Sequence, residues 1–158
     1  MKYMDIKLIV YDFDGVMTNN KAFIDQNGKE IVEVSRADGL GVSLIKDLKI
    51  KQIILSSETN NVVSARAKKL GLDCLQGVTK KDEILKKYLH KIAVSLDEVA
   101  YVGNDINDYD VMKIVKYTFC PLDANQSIKD ISNIVLNVNG GNGVVRELYE
   151  FLIKEKGR

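Results

Sequence analysis

The sequence has almost no excess charge of either sign, with 23 lysine and arginine residues against 22 aspartate and glutamate residues and a net charge of +1. This balance excludes the basic surface with which proteins bind nucleic acid or an anionic membrane. Long hydrophobic runs are also missing, because no apolar stretch approaches the roughly 20 residues that span a bilayer. We therefore expect neither nucleic acid nor a membrane among the partners.

The chain has only two cysteines, Cys74 and Cys120, and they lack the spacing of a metal-binding motif. Their number and spacing predict two buried, reduced thiols rather than a cysteine metal site. The first residues also lack the apolar segment of a signal peptide. Together these observations predict a cytoplasmic protein.

No repeat, low-complexity segment or flexible linker divides the chain, so we interpret residues 1–158 as a single domain. Short apolar runs alternate with amphipathic stretches, which predicts an α/β fold: a doubly wound parallel sheet with helices on both faces. The predicted strands are Leu8–Tyr11, Gln52–Leu55, Cys74–Leu75, Val99–Val102, Tyr117–Phe119 and Ile134–Leu136. The predicted helices are Leu40–Leu48, Asn60–Leu70, Lys81–His90, Asn107–Val115, Ser127–Ile131 and Gly143–Lys154.

Residues 21–34 interrupt this alternation. They hold two apolar stretches, Ala22–Asp25 and Glu30–Val34, around the turn Gln26–Lys29 with its Asn-Gly pair. The pattern is typical of a β-hairpin, which would form a flap between the first strand and the first helix. Because apolar residues fall on both faces, we expect another subunit to cover part of the hairpin; the alternative is that it folds back on its own domain.

Asp12 and Asp14, in the sequence Asp-Phe-Asp-Gly, follow the first predicted strand directly. Taken alone, this motif could be a turn with two solvated carboxylates. However, Ser56 follows the next strand of the sheet, Lys81 opens a helix, and Gly103–Asp108 follows another strand. Because ligands of an open α/β sheet bind beyond the carboxyl ends of its strands, we expect these residues to converge on one rim.

These residue types suit magnesium-dependent phosphoryl transfer. Asp12 is the candidate nucleophile, able to form an aspartyl phosphate, and Asp14 is the candidate acid and base. Ser56 can donate its hydroxyl to a phosphate oxygen, while Lys81 can neutralise developing negative charge. Since a carboxylate nucleophile repels a phosphate dianion, we expect a hard cation such as Mg²⁺ between them.

The motifs resemble those of the haloacid dehalogenase superfamily of phosphohydrolases, over essentially the whole chain. The resemblance implies a Rossmann-like core and a Mg²⁺ ion held by Asp12 and by the backbone carbonyl of Asp14. Relatives often have an aspartate as a further metal ligand where this chain has Asn104, whose amide oxygen is uncharged. Asp105 or Asp108 would then have to compensate, so we count both among the candidate metal ligands.

The sequence leaves no room for the cap domain that most members of the superfamily insert, because only the hairpin and one helix separate Asp14 from Ser56. In this respect the chain resembles the capless, tetrameric sugar-acid phosphatases. Three local segments support the resemblance: Asp38–Gly41, Leu75–Gly77 and Gly140–Glu147. It implies a phosphorylated sugar acid as substrate and a homotetramer in which the hairpin contributes to a neighbour's active site.

In that subgroup the substrate is a 3-deoxy-2-ulosonate phosphate of eight or nine carbons. Glu58 resembles a glutamate of the nine-carbon enzymes and favours an N-acylneuraminate or KDN-type 9-phosphate, with the octulosonate 8-phosphate as the alternative. The resemblance also makes Arg66, Lys69 and Arg146 candidate substrate-binding residues. By helical spacing alone, Arg66 and Lys69 form an ordinary solvated face, and Glu58 is a charge at a helix N-terminus.

Other functions stay open at this stage. The asparagine at position 104 resembles that of phosphatase-like modules fused to CMP-sialate synthetases, so a non-catalytic tetramerisation module is the competitor from another class. A general phosphatase with an open site is a further alternative. A phosphotransferase is less favoured, because the sequence provides no lid to exclude water.

Overall fold

The computed structural model describes residues 5–157. Its strands, numbered in chain order, are β1 Leu8–Tyr11, β2 Phe23–Ile24, β3 Glu30–Ile31, β4 Lys51–Leu55, β5 Asp73–Leu75, β6 Val99–Val102, β7 Tyr117–Cys120 and β8 Ile134–Val135. Its helices are α1 Arg36–Asp47, α2 Asn61–Leu70, α3 Lys81–Ile92, α4 Tyr109–Ile114, α5 Gln126–Ile131 and α6 Val144–Lys156, with short 3-10 turns at Leu96–Glu98 and Ile106–Asp108.

Six strands form one parallel sheet in the order β5-β4-β1-β6-β7-β8, and β2 pairs with β3 in a separate antiparallel ribbon. The chain moves outward from the central β1 first in one direction and then in the other. This order confirms the doubly wound α/β fold expected from the sequence. It also creates the change of direction beside β1 at which such sheets bind their ligands.

Helices cover both faces of the sheet. In β1, Ile9 and Tyr11 face the layer of α1, α2 and α6, whereas Leu8 and Val10 face the layer of α3, α4 and α5. All four side chains are fully buried, which explains why this strand is a continuous apolar run rather than an alternating one. Among residues 5–157, every helix falls short of the length and apolarity that a membrane span requires.

Helix α1 begins at Arg36, four residues before the predicted start at Leu40, so that boundary was wrong. Ser35 caps the helix by accepting a hydrogen bond from the backbone N–H of Ala37 at 3.2 Å. The glycines of this turn disfavour a helix by propensity, but tertiary packing requires one of them. A Cβ atom on Gly41 would lie 2.7 Å from the backbone nitrogen of Arg146, so only glycine lets α1 and α6 approach this closely.

The predicted helix Asn107–Val115 is two elements in the structure. The structure has a 3-10 turn at Ile106–Asp108, followed by the shorter helix α4. The carboxylate of Asp108 accepts the backbone N–H of Asn104 at 2.9 Å, which pulls the chain into a tight turn before the helix can begin. The remaining helix boundaries and those of the six strands of the parallel sheet lie within two residues of the predictions.

The ribbon of β2 and β3 is the flap predicted from the sequence, with shorter strands. Phe23 pairs with Ile31 across the ribbon, and Asp25 closes the turn by accepting the N–H groups of Asn27 and Lys29 at 2.8 and 2.9 Å. Phe23, Ile24 and Ile31 are 76%, 67% and 57% exposed. These three side chains therefore do not fold back on their own domain.

The loop before α6 contacts the chain that follows Asp14. Gly141 donates its backbone N–H to the carbonyl of Val16 at 3.0 Å. A Cβ atom on Gly140 would lie 2.0 Å from the carbonyl oxygen of Gly15, so no larger residue fits there. The glycine-rich segment thus packs against residues 15–19, which lead into the flap.

Candidate active site

The register of the sheet gathers the predicted site residues at one rim. Tyr11 at the end of β1 lies opposite Ile54 of β4 and Val102 of β6, so the three strands end at nearly the same level. Asp12, Ser56 and Gly103 are the residues that follow. The structure therefore brings together three segments that are distant in sequence.

Asp12 lies beneath the surface of the rim and is only 4% exposed. Its Oδ1 atom is 2.8 Å from the Nζ atom of Lys81. Burial, followed by the charge of Asp108, raises the pKa of Asp12 to about 7, although Lys81 acts in the opposite direction. A nearby cation is needed to keep this carboxylate ionised, and Lys81 is the first such cation.

Lys81 is the first residue of α3 and is 2% exposed. Its ammonium lies between two carboxylates, 2.8 Å from Asp12 and 2.7 Å from Asp108. Burial opposes its charge, but the carboxylates outweigh burial and raise the pKa of Lys81 above its ordinary value. The lysine is therefore a fixed positive charge at the base of the site.

Asp108 is fully buried, and all of its oxygens accept hydrogen bonds. Its Oδ1 atom accepts from Lys81 and from the hydroxyl of Tyr101, each at 2.7 Å, and its Oδ2 atom accepts from the backbone N–H of Asn104 at 2.9 Å. This saturation leaves little capacity for a metal ion, so the geometry favours a positioning role over the metal ligation expected from the sequence.

The side-chain amide of Asn104 lies close to two oxygen atoms that could bind a cation. The amide atom facing the site lies 2.9 Å from the backbone oxygen of Asp14 and 3.0 Å from Oδ2 of Asp12. If that atom is the amide oxygen, three oxygens face one another; if it is the nitrogen, the amide donates to both partners. Oxygens on adjacent corners of an octahedron with metal–oxygen distances of about 2.1 Å lie roughly 3 Å apart.

With the amide oxygen of Asn104 turned toward the site, the donor set would combine a carboxylate, a backbone carbonyl and an amide oxygen, which are ligands that suit Mg²⁺. Nowhere in residues 5–157 do three His, Cys, Asp or Glu side chains form a cluster of their own that could hold a metal ion. Asp105 lines the same cleft, but its Oδ1 atom accepts the backbone N–H of Ile106 at 2.8 Å. The suggested first ligands are therefore Asp12, the carbonyl of Asp14 and Asn104.

Asp14 is half-buried above Asp12, and the hydroxyl of Thr18 donates to its Oδ1 atom at 3.3 Å. Burial raises the pKa of Asp14 above its ordinary value, the Thr18 hydrogen bond acts in the opposite direction, and the charges of Glu58 and Glu30 raise it further. A carboxyl with a raised pKa in a cleft is suited to hold and transfer a proton.

Ser56 is 2% exposed and lines the cleft, with its Oγ atom accepting the backbone N–H of Glu58 at 3.1 Å. Glu58 also lines the cleft, but its Oε1 atom accepts the backbone N–H groups of Thr59 and Asn60 at 2.9 and 3.0 Å. The side chain of Asn60 in turn donates to Glu30 of the flap at 3.0 Å. Glu58 therefore shapes the loop before α2 through these backbone contacts.

The cleft above these residues has a volume of about 350 Å³. Its lining residues are Asp12, Asp14, Asn20, Ser56, Ser57, Glu58, Asn104, Asp105, Ile106 and Asn107. Neither lysine nor arginine is among them. The site is thus strongly acidic apart from the buried Lys81 beneath it.

The three basic residues predicted to bind substrate lie outside this cleft. Arg66 and Lys69 line a separate groove of about 560 Å³ between α1 and α2, together with Arg36. One nitrogen of the Arg66 guanidinium donates to the carbonyl of Ser35 at 3.0 Å. Arg146 forms two hydrogen bonds with Glu150 one turn along α6. Within one chain, none of them lines the cleft.

Two residues of the site were missed by sequence reasoning. Tyr101 contacts Asp108, but a tyrosine inside a buried apolar strand is indistinguishable by pattern from a core residue. Asn20 lines the cleft with a left-handed backbone at φ 64°, which asparagine tolerates better than most residues. The adjacent asparagines at positions 19 and 20 were the only available signal for it.

This chain is similar in sequence to known phosphatases and hydrolases. A sequence profile of the haloacid dehalogenase-like hydrolases matches residues 44–148. The chain is 30% identical to the 3-deoxy-D-manno-octulosonate 8-phosphate phosphatase of Escherichia coli over 158 residues, a match that covers 99% of this chain and 84% of that enzyme.

Two solved structures have the same fold. A HAD family hydrolase of Streptomyces avermitilis is 35% identical, with a TM-score of 0.93 over 97% of this chain and 88% of that one. The 3-deoxy-D-manno-octulosonate 8-phosphate phosphatase of Moraxella catarrhalis, in complex with a magnesium ion, a phosphate ion and a KDO molecule, is 28% identical, with a TM-score of 0.93 over 98% of this chain and 89% of that one. The sequence profile covers more than half of the chain, and the chain belongs to the haloacid dehalogenase-like hydrolases.

Proposed function

We propose that this chain is a magnesium-dependent phosphatase that hydrolyses the phosphate ester of an eight-carbon 3-deoxy-2-ulosonate, such as 3-deoxy-D-manno-octulosonate 8-phosphate. The observation that carries the proposal is the buried bridge of Lys81 between Asp12 and Asp108, together with the second oxygen of Asp12, which lies 3.0 Å from the Asn104 amide. A scaffold module would have no need for two buried carboxylates around one ammonium, an arrangement that is costly without a catalytic use.

In the first step, the carboxylate of Asp12 attacks the phosphorus of the ester. The bond between phosphorus and the sugar oxygen breaks, and the carboxyl of Asp14 donates a proton to that oxygen. Lys81 stays close to Asp12 at 2.8 Å and stabilises the charge that develops on the transferred group. Burial, which raises the pKa of Asp14 above its ordinary value, acts in the direction that this acid role requires.

In the second step, Asp14 takes a proton from a water molecule that attacks the phosphorus of the aspartyl phosphate. The bond between phosphorus and Asp12 breaks, phosphate leaves, and both carboxyl groups return to their starting states. The cleft is open enough to admit that water, which favours hydrolysis over transfer to another acceptor.

Asp12, the backbone carbonyl of Asp14 and Asn104 would hold Mg²⁺, and Asp105 lines the same cleft. When bound there, the ion supplies charge neutralisation between Asp12 and the phosphoryl oxygens and polarises those oxygens. The magnesium and phosphate bound to the Moraxella catarrhalis enzyme support this assignment.

The eight-carbon substrate replaces the nine-carbon preference inferred from Glu58. The relatives from Escherichia coli and Moraxella catarrhalis are octulosonate phosphatases, which supports the alternative held from the sequence. The geometry of Glu58 also weakens the original argument, because its carboxylate is engaged with the backbone of Thr59 and Asn60.

We also propose that the working form is a homotetramer assembled through the flap. The substrate carries a carboxylate and a phosphate, whereas the cleft of one chain has no cationic side chain in its lining. A neighbouring copy that presents its Arg66 and Lys69 groove would supply the missing charge. The exposed Phe23, Ile24 and Ile31 offer the apolar surface for such an assembly.

The experiment is phosphate release with Mg²⁺ from octulosonate 8-phosphate, two nine-carbon ulosonate 9-phosphates and a hexose phosphate. We expect the highest kcat/KM for the eight-carbon ester, loss of turnover with a chelator, and recovery on adding Mg²⁺. Preference for a nine-carbon ester would reject the substrate assignment and keep the chemistry. Absence of turnover on every ester would reject the phosphatase and favour a tetramerisation module.

A further inference from the structure

Tyr101 in β6 has a contact that packing alone does not explain. Its side chain is fully buried among the residues that face α3 and α4, where phenylalanine would fill almost the same space. Burying a hydroxyl is unfavourable unless the group finds a partner. The Tyr101 hydroxyl finds Asp108, to which it donates a hydrogen bond of 2.7 Å.

The contact matters because of the atom that accepts it. Oδ1 of Asp108 receives both the Tyr101 hydroxyl and the ammonium of Lys81, each at 2.7 Å. Lys81 is itself shared with Asp12 at 2.8 Å. Any change in how strongly Asp108 holds Lys81 therefore changes how much of the lysine remains available to Asp12.

A neutral donor suits this position better than a second cation would. The buried set contains two carboxylates and one ammonium. The hydroxyl stabilises Asp108 by a charge-assisted hydrogen bond without adding positive charge near Asp12. Burial, followed by the charges of Asp108 and Asp12, raises the pKa of Tyr101 well above its ordinary value, so the phenol remains a donor.

Without the hydroxyl, Asp108 would lose one of the two donors on Oδ1. Its carboxylate would turn toward Lys81 to recover the lost interaction, and the ammonium would move away from Asp12. The other Asp108 oxygen holds the backbone N–H of Asn104 at 2.9 Å, so the Asn104 loop would shift as well.

We propose that Tyr101 is a positioning residue for phosphoryl transfer, and that its hydroxyl holds Asp108 in the orientation that keeps Lys81 on Asp12. This inference rests on the proposed phosphatase function. It assigns to the strand β6 a role in catalysis beyond its place in the core.

The test compares Tyr101→Phe with the matched control Tyr11→Phe. Tyr11 is equally buried on the opposite face of the sheet, and its hydroxyl donates to Oε1 of Gln52 at 2.8 Å, away from Asp108. For octulosonate 8-phosphate with Mg²⁺, we expect Tyr101→Phe to lower kcat about tenfold, with KM changed less than about twofold. Tyr11→Phe should keep kcat within about twofold of the wild type.

Crystal structures of the wild type and of both variants supply a readout that does not need turnover. We expect the distance between Lys81 and Asp12 to lengthen beyond hydrogen-bonding range in Tyr101→Phe only. An unchanged distance there, or equal kcat values in the two variants, would overturn the proposal. If the wild type releases no phosphate, the proposed function fails, and the position of Lys81 in these structures still decides whether Tyr101 holds the network.

Discussion

The rim of the sheet and the flap differ in how completely a single chain buries and pairs their side chains. At the rim, Asp12, Lys81 and Asp108 are nearly or fully buried, and the ammonium of Lys81 pairs with both carboxylates at 2.7–2.8 Å. In the flap, Phe23 and Ile31 face each other across two-residue strands and remain mostly exposed. The difference teaches that one chain completes the proposed chemical site, whereas the exposed flap is the part for which we propose a neighbouring copy that completes substrate selection.

Apart from loss of the nucleophile itself, the largest expected effect comes from removing the apolar surface of the flap. The variant Phe23→Glu with Ile31→Glu places two like charges opposite each other and should produce monomers. We expect kcat/KM for octulosonate 8-phosphate to fall about 100-fold, because the charged contacts of a neighbour are lost. Turnover of p-nitrophenyl phosphate, which needs only the rim, should stay within about twofold. Light scattering and kinetics measure both effects.

Ile153→Glu is the control for the flap variant, since Ile153 is 38% exposed on α6, far from the ribbon in sequence. It should change neither assembly nor kinetics. A flap variant that remains tetrameric would show that the interface lies elsewhere. Loss of p-nitrophenyl phosphate turnover would show that the rim is not independent of the flap.

A second variant tests whether Asn104 binds the metal ion at the rim. Asn104→Asp adds a charged oxygen close to Asp12, so the metal-free protein should be destabilised by repulsion while Mg²⁺ binds more tightly. We expect the Mg²⁺ concentration for half-maximal activity to fall about tenfold. Thermal melting should show a larger stabilisation by Mg²⁺ than in the wild type. An unchanged Mg²⁺ requirement and melting response would contradict metal ligation by Asn104.

Features that depend on local sequence could be predicted for this protein, whereas features that depend on contacts between distant elements could not. Local pattern suffices for β1 and for the carboxylates after it, because a buried strand followed by Asp-Phe-Asp-Gly is informative by itself. It fails at the start of α1, because Gly41 is required by α6, more than 100 residues later in the chain. Packing between distant elements overrides propensity there.

The residues of the candidate active site also divide into those that the sequence predicts and those that depend on tertiary packing. Asp12 and Ser56 could be predicted to converge because each follows a strand that ends at the same rim of the sheet. The direction in which a helix face points could not be predicted, and within one chain Arg66 and Lys69 line a groove separate from the cleft. Tyr101 gave no signal, since its pattern is that of an ordinary core residue.

The smallest expected effect concerns a buried carboxylate outside the active site. Asp38 is 1% exposed; its Oδ1 atom accepts the N–H of Val145 at 3.0 Å, while Oδ2 has no hydrogen-bond partner among the described residues. Burial raises the pKa of Asp38 from 3.8 to about 6, although Val145 and Arg66 act in the opposite direction. The ionised form therefore destabilises the folded state above about pH 6.

Asp38→Asn keeps an acceptor for Val145 and removes the charge. It should raise the free energy of unfolding by roughly 1–3 kcal/mol at pH 7.5, and the gain should disappear as the pH falls from about 6 to 4. Urea unfolding of both proteins across this range measures the difference, in which contributions from Asp12 largely cancel. A gain that is independent of pH would contradict the assignment of the charge to Asp38.

The most direct test of the central claim is phosphate release from octulosonate 8-phosphate by Asp12→Asn, measured with Mg²⁺ beside the wild type. Asp110→Asn, at an exposed position of α4, is the matched control. The account predicts a loss of at least about 1,000-fold in kcat for Asp12→Asn, with none for the control. Turnover by Asp12→Asn close to that of the wild type would contradict the assignment of the nucleophile and, with it, the mechanism.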